Sequence, residues 1–238
     1  MGNMVNENKS IAIIPARGGS QRVKNKNIID FFGRPMIAYT IEAAISSGKF
    51  DRVIVSTDSK DIADISVQYG AEVPFLRAEA ADSYTPVSTA VIFSLKQAEA
   101  YFKETYDTVT LLMANCPIRG REDIIKSFDH FIDNETAAQI SCFKFGFMNP
   151  WWAFKLDEKG KGEALFPKAL KSRSQDLCEL YCPSGAIWIA KRQHLMKWNS
   201  FYGEHIYFEI DWKSAVDIDN YEDVDMAKAV YKLLNPNS

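Results

Sequence analysis

A loop rich in glycine and basic side chains covers residues 15–27, directly after the first predicted strand at residues 11–15. Gly18 and Gly19 let the backbone approach a ligand closely, and main-chain amides at the carboxyl end of a parallel strand can point at phosphate oxygens. Nearby cations that would neutralise those oxygens are Arg17, Arg22, Lys24 and Lys26. The spacing matches neither a P-loop nor a dinucleotide-binding fingerprint. The loop therefore predicts a phosphate site of another kind, and the alternative is a solvated basic turn.

Two carboxylates near the other end of the chain, Asp217 and Asp219, are separated by one residue. In an extended segment this spacing places both side chains on one face, where they repel each other unless a cation lies between them. A hard divalent ion such as Mg²⁺, bridging to phosphate oxygens, suits such a pair. The alternative is an acidic N-terminal cap of the last predicted helix, residues 221–234, whose positive dipole end favours carboxylates.

The composition describes an average soluble protein. Of 238 residues, 47% are apolar and 25% are charged, which suits one globular domain spanning residues 1–238. With 28 Lys+Arg against 31 Asp+Glu, the net charge of −3 gives no reason to expect a nucleic-acid partner. Residues 1–10 are polar and no apolar run has the length needed to cross a bilayer, so we expect a cytoplasmic protein with no membrane partner. The four cysteines lack zinc-site spacing and predict free thiols.

Short apolar runs alternate with amphipathic segments along most of the chain. The predicted strands are residues 11–15, 52–58, 72–76, 107–113, 137–145, 185–190 and 207–210. The predicted helices are residues 35–47, 61–69, 87–102, 122–133, 191–198 and 221–234. Strands that are buried on both faces and separated by helices of this length predict an α/β fold with a doubly wound, mostly parallel sheet.

The regular alternation breaks in the segment at residues 145–182. Asn149, Pro150, Trp151 and Trp152 precede a turn rich in lysine and glycine, which predicts a hairpin-like insertion with exposed or partner-facing aromatic rings. We call this segment the arm and expect it to meet a second subunit in a homodimer.

Several motifs in register resemble the nonulosonic acid cytidylyltransferases, the family of CMP-sialic acid synthetases and their pseudaminic and legionaminic acid relatives. The stretches that carry the resemblance are IPARGGS at 14–20, GRPMI at 33–37, VSTD at 55–58, RAE at 77–79, LLMANCPIR at 111–119, RSQDL at 173–177, GAIWI at 185–189 and VDID at 216–219. The resemblance implies a Rossmann-like nucleotidyltransferase fold with a small inserted dimerisation arm.

The implied reaction is attack of the anomeric hydroxyl of a nine-carbon keto acid on the α-phosphorus of CTP, giving a CMP-sugar and pyrophosphate. The residues implied to bind the nucleotide are Ala16, Arg17, Gly18, Gly19, Ser20, Lys26, Asn27, Arg77 and Ser88. Arg17, Lys26 and Asp217 are the implied catalytic residues, and Asp217 and Asp219 are the implied Mg²⁺ ligands. A surface salt bridge for Arg77 and a helix-capping role for Ser88 are the structural alternatives.

The implied sugar-binding residues are Asn115, Arg173, Gln175 and Ser184. Departures from the family pattern concentrate at this end of the site. Met113 stands where the family commonly has Gln, with Asn115 as the nearby polar substitute, and Ser184 stands where it has Asn. Gln21 replaces a Lys in the basic loop. The RSQDL stretch resembles the pseudaminic-type members, which favours a bacterial diamino nonulosonic acid over N-acetylneuraminic acid.

Two other functions stay open at this stage. One is a different sugar nucleotidyltransferase, acting on a Kdo-type acid or a sugar 1-phosphate. The other is a non-catalytic nucleotide-binding homologue, which the basic loop and the acidic pair disfavour. His130, His194 and His205 lie outside the matching motifs and do not suggest acid–base catalysis. Cys116 lies in a motif but has no histidine signal beside it, so we do not expect a thiol nucleophile.

Overall fold

The computed structural model describes residues 8–77 and 85–236 and contains a six-stranded central sheet. Its strands, in spatial order, are β10 (Ile206–Glu209), β6 (Ala138–Lys144), β9 (Tyr181–Lys191), β5 (Thr108–Leu112), β1 (Ser10–Pro15) and β4 (Arg52–Ser56). β1 pairs in parallel with both β4 and β5, and β10 pairs in parallel with β6. β9 runs antiparallel between β5 and β6. The predicted α/β fold with a mostly parallel sheet is confirmed.

Helices cover both faces of this sheet. They are α1 (Met36–Ser47), α2 (Lys60–Gln68), α3 (Val87–Phe102), α4 (Arg121–Asp133), α5 (Arg192–Trp198) and α6 (Tyr221–Leu234). Apolar side chains of α1, α2 and α4 pack on one face, and those of α3 and α5 pack on the other. β1 and β5 are almost entirely buried because both of their faces are covered, which explains their unbroken apolar runs. Within the described residues, no helix has the length and apolar character needed to span a membrane.

A third apolar cluster attaches α6 to the body of the fold. A two-stranded ribbon of β2 (Asp30–Phe31) and β3 (Arg34–Pro35) packs its Phe31 against Ile218 and Val224. Asn220 caps α6 by accepting a hydrogen bond from the amide of Asp223, and the Asp223 carboxylate accepts one from the amide of Asn220. This reciprocal cap gives α6 the start predicted from the sequence.

The strand predicted at residues 72–76 is wrong. The structure has one isolated bridge there, between Glu72 and Ile54, and no strand. Pro74 explains the difference, because a proline lacks the amide that a ladder within a sheet requires. The chain after Arg77 enters residues that the structure does not describe, so the Ala78 and Glu79 part of the RAE motif lies outside the described residues.

The arm forms a small layer of its own between β6 and β9. It contains the antiparallel hairpin β7 (Phe154–Leu156) and β8 (Gly162–Ala164) and three short 3₁₀ turns. Trp151 packs edge-on against Phe166, with their ring centroids 5.0 Å apart, and its indole donates to the carbonyl oxygen of Cys178. The predicted hairpin is therefore present. The division into one domain with an arm at 145–182, and contact of the arm with a second subunit, stay predictions.

Candidate active site

The basic loop folds across the carboxyl ends of β1 and β4. The amide of Gly18 donates to Oδ1 of Asp58 at 2.8 Å, and the side-chain amide of Asn27 donates to the carbonyl oxygen of Arg17 at 3.0 Å. A Cβ atom at Gly18 would lie 3.0 Å from Cβ of Ser59, whereas one at Gly19 would meet nothing within 4 Å. Gly18 is thus required for close packing on the next loop, and Gly19 leaves the space in front of the loop open.

A cleft opens beside this loop, in the place where open α/β sheets bind ligands. Its larger part has a volume of about 180 Å³. Residues from three predicted motifs line it, namely Arg17, Lys26, Asn27, Arg77 and Asn115, together with Val87, Ala90 and Met113. A smaller part shares Arg17, Lys26 and Asn27 and adds Ser20, Arg22 and Asp219. One continuous groove therefore joins the basic loop to the acidic segment.

Arg77 is a buried cation in the wall of this cleft, with 4% of its surface exposed. Burial lowers the pKa of its guanidinium, the charge of Asp58 opposes that effect, and the charge of Arg17 adds to it. Nη1 lies 3.5 Å from Oγ of Ser56, and Nε has no hydrogen-bond partner within the described part of the chain. Because an unpaired buried donor is costly, this group favours an acceptor in the cleft over the surface salt bridge that was the alternative.

The acidic segment lies directly against the basic loop. Nζ of Lys26 donates to Oδ1 of Asp219 at 2.9 Å, and Nη2 of Arg22 donates to Oδ2 at 2.7 Å, across 193 and 197 residues of sequence. Burial opposes the charge of Asp219, but the bonds from Lys26 and Arg22 outweigh it and lower the pKa of this carboxyl group. The structure therefore brings the two charged motifs to one place.

Asp217 has the opposite environment. Val216 and Ile218 alternate with the two aspartates and point into the apolar cluster under α6, which directs the carboxylates outward together. Burial, and then the charge of Asp219, raise the pKa of Asp217 to about 6. The side-chain amide of Asn115 donates both to Oδ1 of Asp217 and to the carbonyl oxygen of Ile218. Asn115 is thus placed by the acidic segment as well as lining the cleft.

The donor set suits a hard divalent cation. Two carboxylates are electrostatically coupled at the edge of a basic groove, and a positive ion would relieve the repulsion that raises the pKa of Asp217. No group of three or more His, Cys, Asp or Glu side chains is assembled for a metal within residues 8–77 and 85–236. Such a two-carboxylate site matches magnesium, which keeps water and takes phosphate oxygens as further ligands.

β9 passes close to the acidic segment at Gly185. A Cβ atom there would lie 3.2 Å from Cγ of Met113 and 3.8 Å from Oδ2 of Asp217, so glycine permits this approach. The preceding Ser184 is buried, and its hydroxyl accepts a hydrogen bond from the amide of Ala186 at 3.0 Å. The hydroxyl of Ser184 therefore stabilises the local backbone of β9. Its role in ligand binding stays a prediction.

The remaining predicted site residues lie outside the lining of the cleft. Ala16 is buried, and its amide donates to the carbonyl oxygen of Ser56. Ser88 is buried in the first turn of α3, where Pro86 occupies the N-cap position, so the capping alternative for Ser88 is wrong. Arg173 and Gln175 lie in the arm, exposed, and Arg173 makes a two-point ion pair with Asp176 at 2.7 and 3.0 Å. Neither Arg173 nor Gln175 lines the cleft of this chain, and their contact with a ligand stays a prediction.

Arg119 is a buried cation beside the site to which the sequence assigned no role. It is 1% exposed, and its Nη1 donates to the carbonyl oxygen of Ala186 at 2.7 Å, which ties the loop after β5 to the stretch of β9 beside Asp217. Burial lowers the pKa of this guanidinium and raises the pKa of the neighbouring Cys116 thiol. A protonated, fully buried thiol fits the expectation that Cys116 is no nucleophile. Its position at the end of the LLMANCPIR motif was the available signal for Arg119.

Comparisons with known proteins agree on one family. Residues 11–231 match the family model described as cytidylyltransferase. The chain is 34% identical over 226 residues to a pseudaminic acid cytidylyltransferase of Campylobacter jejuni, covering 94% of this chain and 97% of that protein. It is 35% identical over 206 residues to a CMP-N,N′-diacetyllegionaminic acid synthase of Legionella pneumophila, covering 82% and 83%.

A solved structure shows the same fold at lower sequence identity. CMP:2-keto-3-deoxy-manno-octonic acid synthetase complexed with CTP superposes with a TM-score of 0.69 at 15% identity, covering 95% of this chain and 99% of that one.

The close packing at Gly18 generates a stability prediction. Gly18→Ala should lower the free energy of unfolding by about 1–3 kcal/mol, because the new methyl group overlaps Ser59, which caps α2. Thermal unfolding of the free protein measures this. Gly19→Ala is the matched control and should change the free energy of unfolding by less than about 0.5 kcal/mol. Equal melting temperatures for the two variants would contradict the packing argument.

Proposed function

The chain belongs to the nonulosonic acid cytidylyltransferase family, and we propose that it joins CMP from CTP to the anomeric hydroxyl of a nonulosonic acid, with release of pyrophosphate. The observation that carries this proposal is the groove lined by Arg17, Lys26, Asn27 and Asp219. Asp217 adjoins it through its hydrogen bond with Asn115, which lines the groove. Cations for a triphosphate and carboxylates for a metal-assisted displacement meet in that groove at the carboxyl ends of β1, β4 and β5.

The basic loop supports the departure of pyrophosphate. The hydroxyl oxygen of the sugar forms a bond to the α-phosphorus while the bond from that phosphorus to the bridging oxygen of the β-phosphate breaks, and the proton of the hydroxyl passes to the Asp217 carboxylate. Negative charge grows on the leaving pyrophosphate, so Arg17, Arg22 and Lys26 stabilise the transition state more than the ground state. The larger part of the cleft, beside Arg77 and Val87, suits the cytosine and ribose, because it combines an apolar wall with a buried donor.

Asp217 is placed to orient the attacking hydroxyl. It lies at the junction of the cleft and β9, where Asn115 holds the carboxylate and Gly185 leaves room beside it. Asp217 and Asp219 would also hold Mg²⁺, which supplies neutralisation of the phosphate oxygens when it is bound. Lys26 and Arg22 would then hold Asp219 in place and also attract the phosphates.

The sugar we propose is a diamino nonulosonic acid of the pseudaminic or legionaminic type. The RSQDL motif and the similarity to relatives named for these two sugars support it. A Kdo-type acid is the second candidate, since the fold is shared with a synthetase named for that sugar. The free thiols of all four cysteines accord with the proposed cytoplasmic location.

A panel of nucleotides and acids tests the proposed reaction. With Mg²⁺ present, we expect release of pyrophosphate from CTP, with much slower release from UTP, GTP and dTTP. Diacetamido nonulosonic acids should be used with higher kcat/KM than N-acetylneuraminic acid, Kdo or sugar 1-phosphates. Measurement of pyrophosphate together with mass detection of the CMP-sugar identifies the product. Preference for another nucleotide, or turnover of a sugar 1-phosphate alone, would overturn the assignment.

Asp217→Asn tests the acidic pair. This substitution keeps the oxygen that accepts from Asn115 but removes the charge, so we expect kcat to fall by about 100-fold or more while the melting temperature changes little. Affinity for CTP measured in EDTA should be retained, and EDTA should abolish turnover by the unmodified enzyme. Asp225→Asn, an exposed position on α6, is the matched control and should keep full activity. Unchanged turnover by Asp217→Asn would favour a non-catalytic nucleotide-binding protein.

The arm supports the proposed homodimer because it exposes apolar side chains that its small size cannot bury. Phe147 is 87% exposed, and Met148, Phe154, Leu156 and Leu165 are also exposed. Sedimentation at micromolar concentration should give twice the chain mass of 27.0 kDa. Replacing Phe147 and Leu156 by serine should shift the protein towards the monomer, whereas Val67→Ser, an exposed apolar position on α2, should not. A monomeric unmodified protein would refute this assembly.

A further inference from the structure

A second cavity lies on the sheet beyond the nucleotide cleft. Its volume is about 400 Å³, and it is lined by Cys142, Tyr181, Pro183, Tyr207 and Glu209. Glu209 pairs with Cys142, and Cys142 pairs with Pro183, so these three form one row across β10, β6 and β9. Tyr207 and Tyr181 precede that row by two residues on their strands and therefore share its face. No residue of the cavity belongs to the nucleotide cleft as the described residues define it.

The cavity and the reaction centre are connected along β9. Pro183 and Gly185 are two residues apart, in the irregular step of the β6–β9 pairing, and at most about 7 Å of chain separates them. Gly185 is the position that approaches Asp217. A row of rings reaches the same cavity from the other side. Trp188 lies 5.4 Å from Tyr202, Tyr202 lies 5.5 Å from His205, and His205 lies 4.9 Å from Tyr207, measured between ring centroids. A sugar whose anomeric carbon is at Asp217 can therefore extend its far end towards Tyr207.

The chemistry of the lining suits an amide that carries a small acyl group. The Glu209 carboxylate can accept from an amide N–H, and the hydroxyl of Tyr207 can donate to the acyl oxygen, whereas that of Tyr181 donates to Glu179. Cys142 and Pro183 provide an apolar floor for a methyl group. Lys144 lies 3.8 Å from Glu209 and 3.1 Å from Glu179, which partly balances the negative charge. A sugar carboxylate would be repelled by Glu209, so the acid group must point away from this cavity.

We propose that this cavity receives an acylamino substituent on the tail of the nonulosonic acid, and that it selects acids with a second acylamino group over those with one. The inference rests on the proposed cytidylyltransferase function. It places the end of the substrate farthest from the anomeric carbon in this cavity. A substituent on the ring lies too close to Asp217 to pass Gly185 and Pro183, whereas a substituent on the tail can do so. The sugar in the name of one relative, N,N′-diacetyllegionaminic acid, has two such groups.

Two substitutions in the lining test the selectivity. Tyr207→Ala removes an aromatic wall, and Glu209→Gln removes the charge of the acceptor while keeping its size. Each should lower kcat/KM for a diacetamido nonulosonic acid by about tenfold, with the loss in KM for the acid, and should leave kcat/KM for N-acetylneuraminic acid within about twofold. KM for CTP should not change. Tyr101→Ala, an exposed tyrosine on α3, is the matched control and should retain the selectivity of the unmodified enzyme.

Other outcomes overturn the inference. Equal losses with both acids, or no change with either, would show that the cavity does not read the second acylamino group. A shift to the monomeric mass with selectivity retained would make the cavity a surface between two copies of the chain. If the unmodified enzyme does not use N-acetylneuraminic acid, an unchanged KM for the diacetamido acid in both variants overturns the proposal. Failure of the proposed function is separate, because the unmodified enzyme would then release no pyrophosphate with any nonulosonic acid.

Discussion

The contact on which the active site depends is the pairing of Lys26 and Arg22 with Asp219. The basic loop contains one short 3₁₀ turn and is otherwise irregular, so few bonds define its path. The pairing joins that loop to the segment before α6, almost 200 residues later in the chain. Arg22 and Asp219 are substantially exposed, so their contribution to the free energy of folding is small. The contact matters for placement, since it sets the cations proposed to bind phosphate beside the proposed metal ligands.

The same segment gives its two aspartates different properties. Asp219 faces the cations and has a lowered pKa, whereas the half-buried Asp217, the preceding residue on the same face, has a raised pKa. The difference arises because burial and the charge of Asp219 act on Asp217, whereas Lys26 and Arg22 donate hydrogen bonds to Asp219. Carboxylates with environments this different can take separate roles, one binding and the other orienting the nucleophile.

The sequence predicted those features that neighbouring residues control, such as the starts of helices. The first residues of α3 and α6 agree with the predicted ones because Pro86 and the Asn220–Asp223 cap fix where each helix begins. The strand predicted at 72–76 does not form, because Pro74 interrupts that apolar stretch and has no amide to donate to a ladder. The positions of Ser184 and Arg119 depend instead on contacts between distant parts of the chain. Their surroundings are created by an irregular step in the pairing of β6 and β9, between Ile140 and Cys142, and by a hydrogen bond across 67 residues. Neither feature leaves a periodic trace in the sequence.

β9 is the element through which the two halves of the site are joined. It is the one antiparallel strand among the six of the described central sheet, and it enters from the arm at Tyr181 before passing Asp217 at Gly185. β1, β4 and β5 position the nucleotide cleft, while β9 and its neighbours β6 and β10 form the second cavity. Changes in the second cavity can therefore alter which sugar is accepted without moving the phosphate loop. In the proposed mechanism Gly185 is the position at which the two regions meet, because it lies beside Asp217 and is two residues from Pro183 in the second cavity.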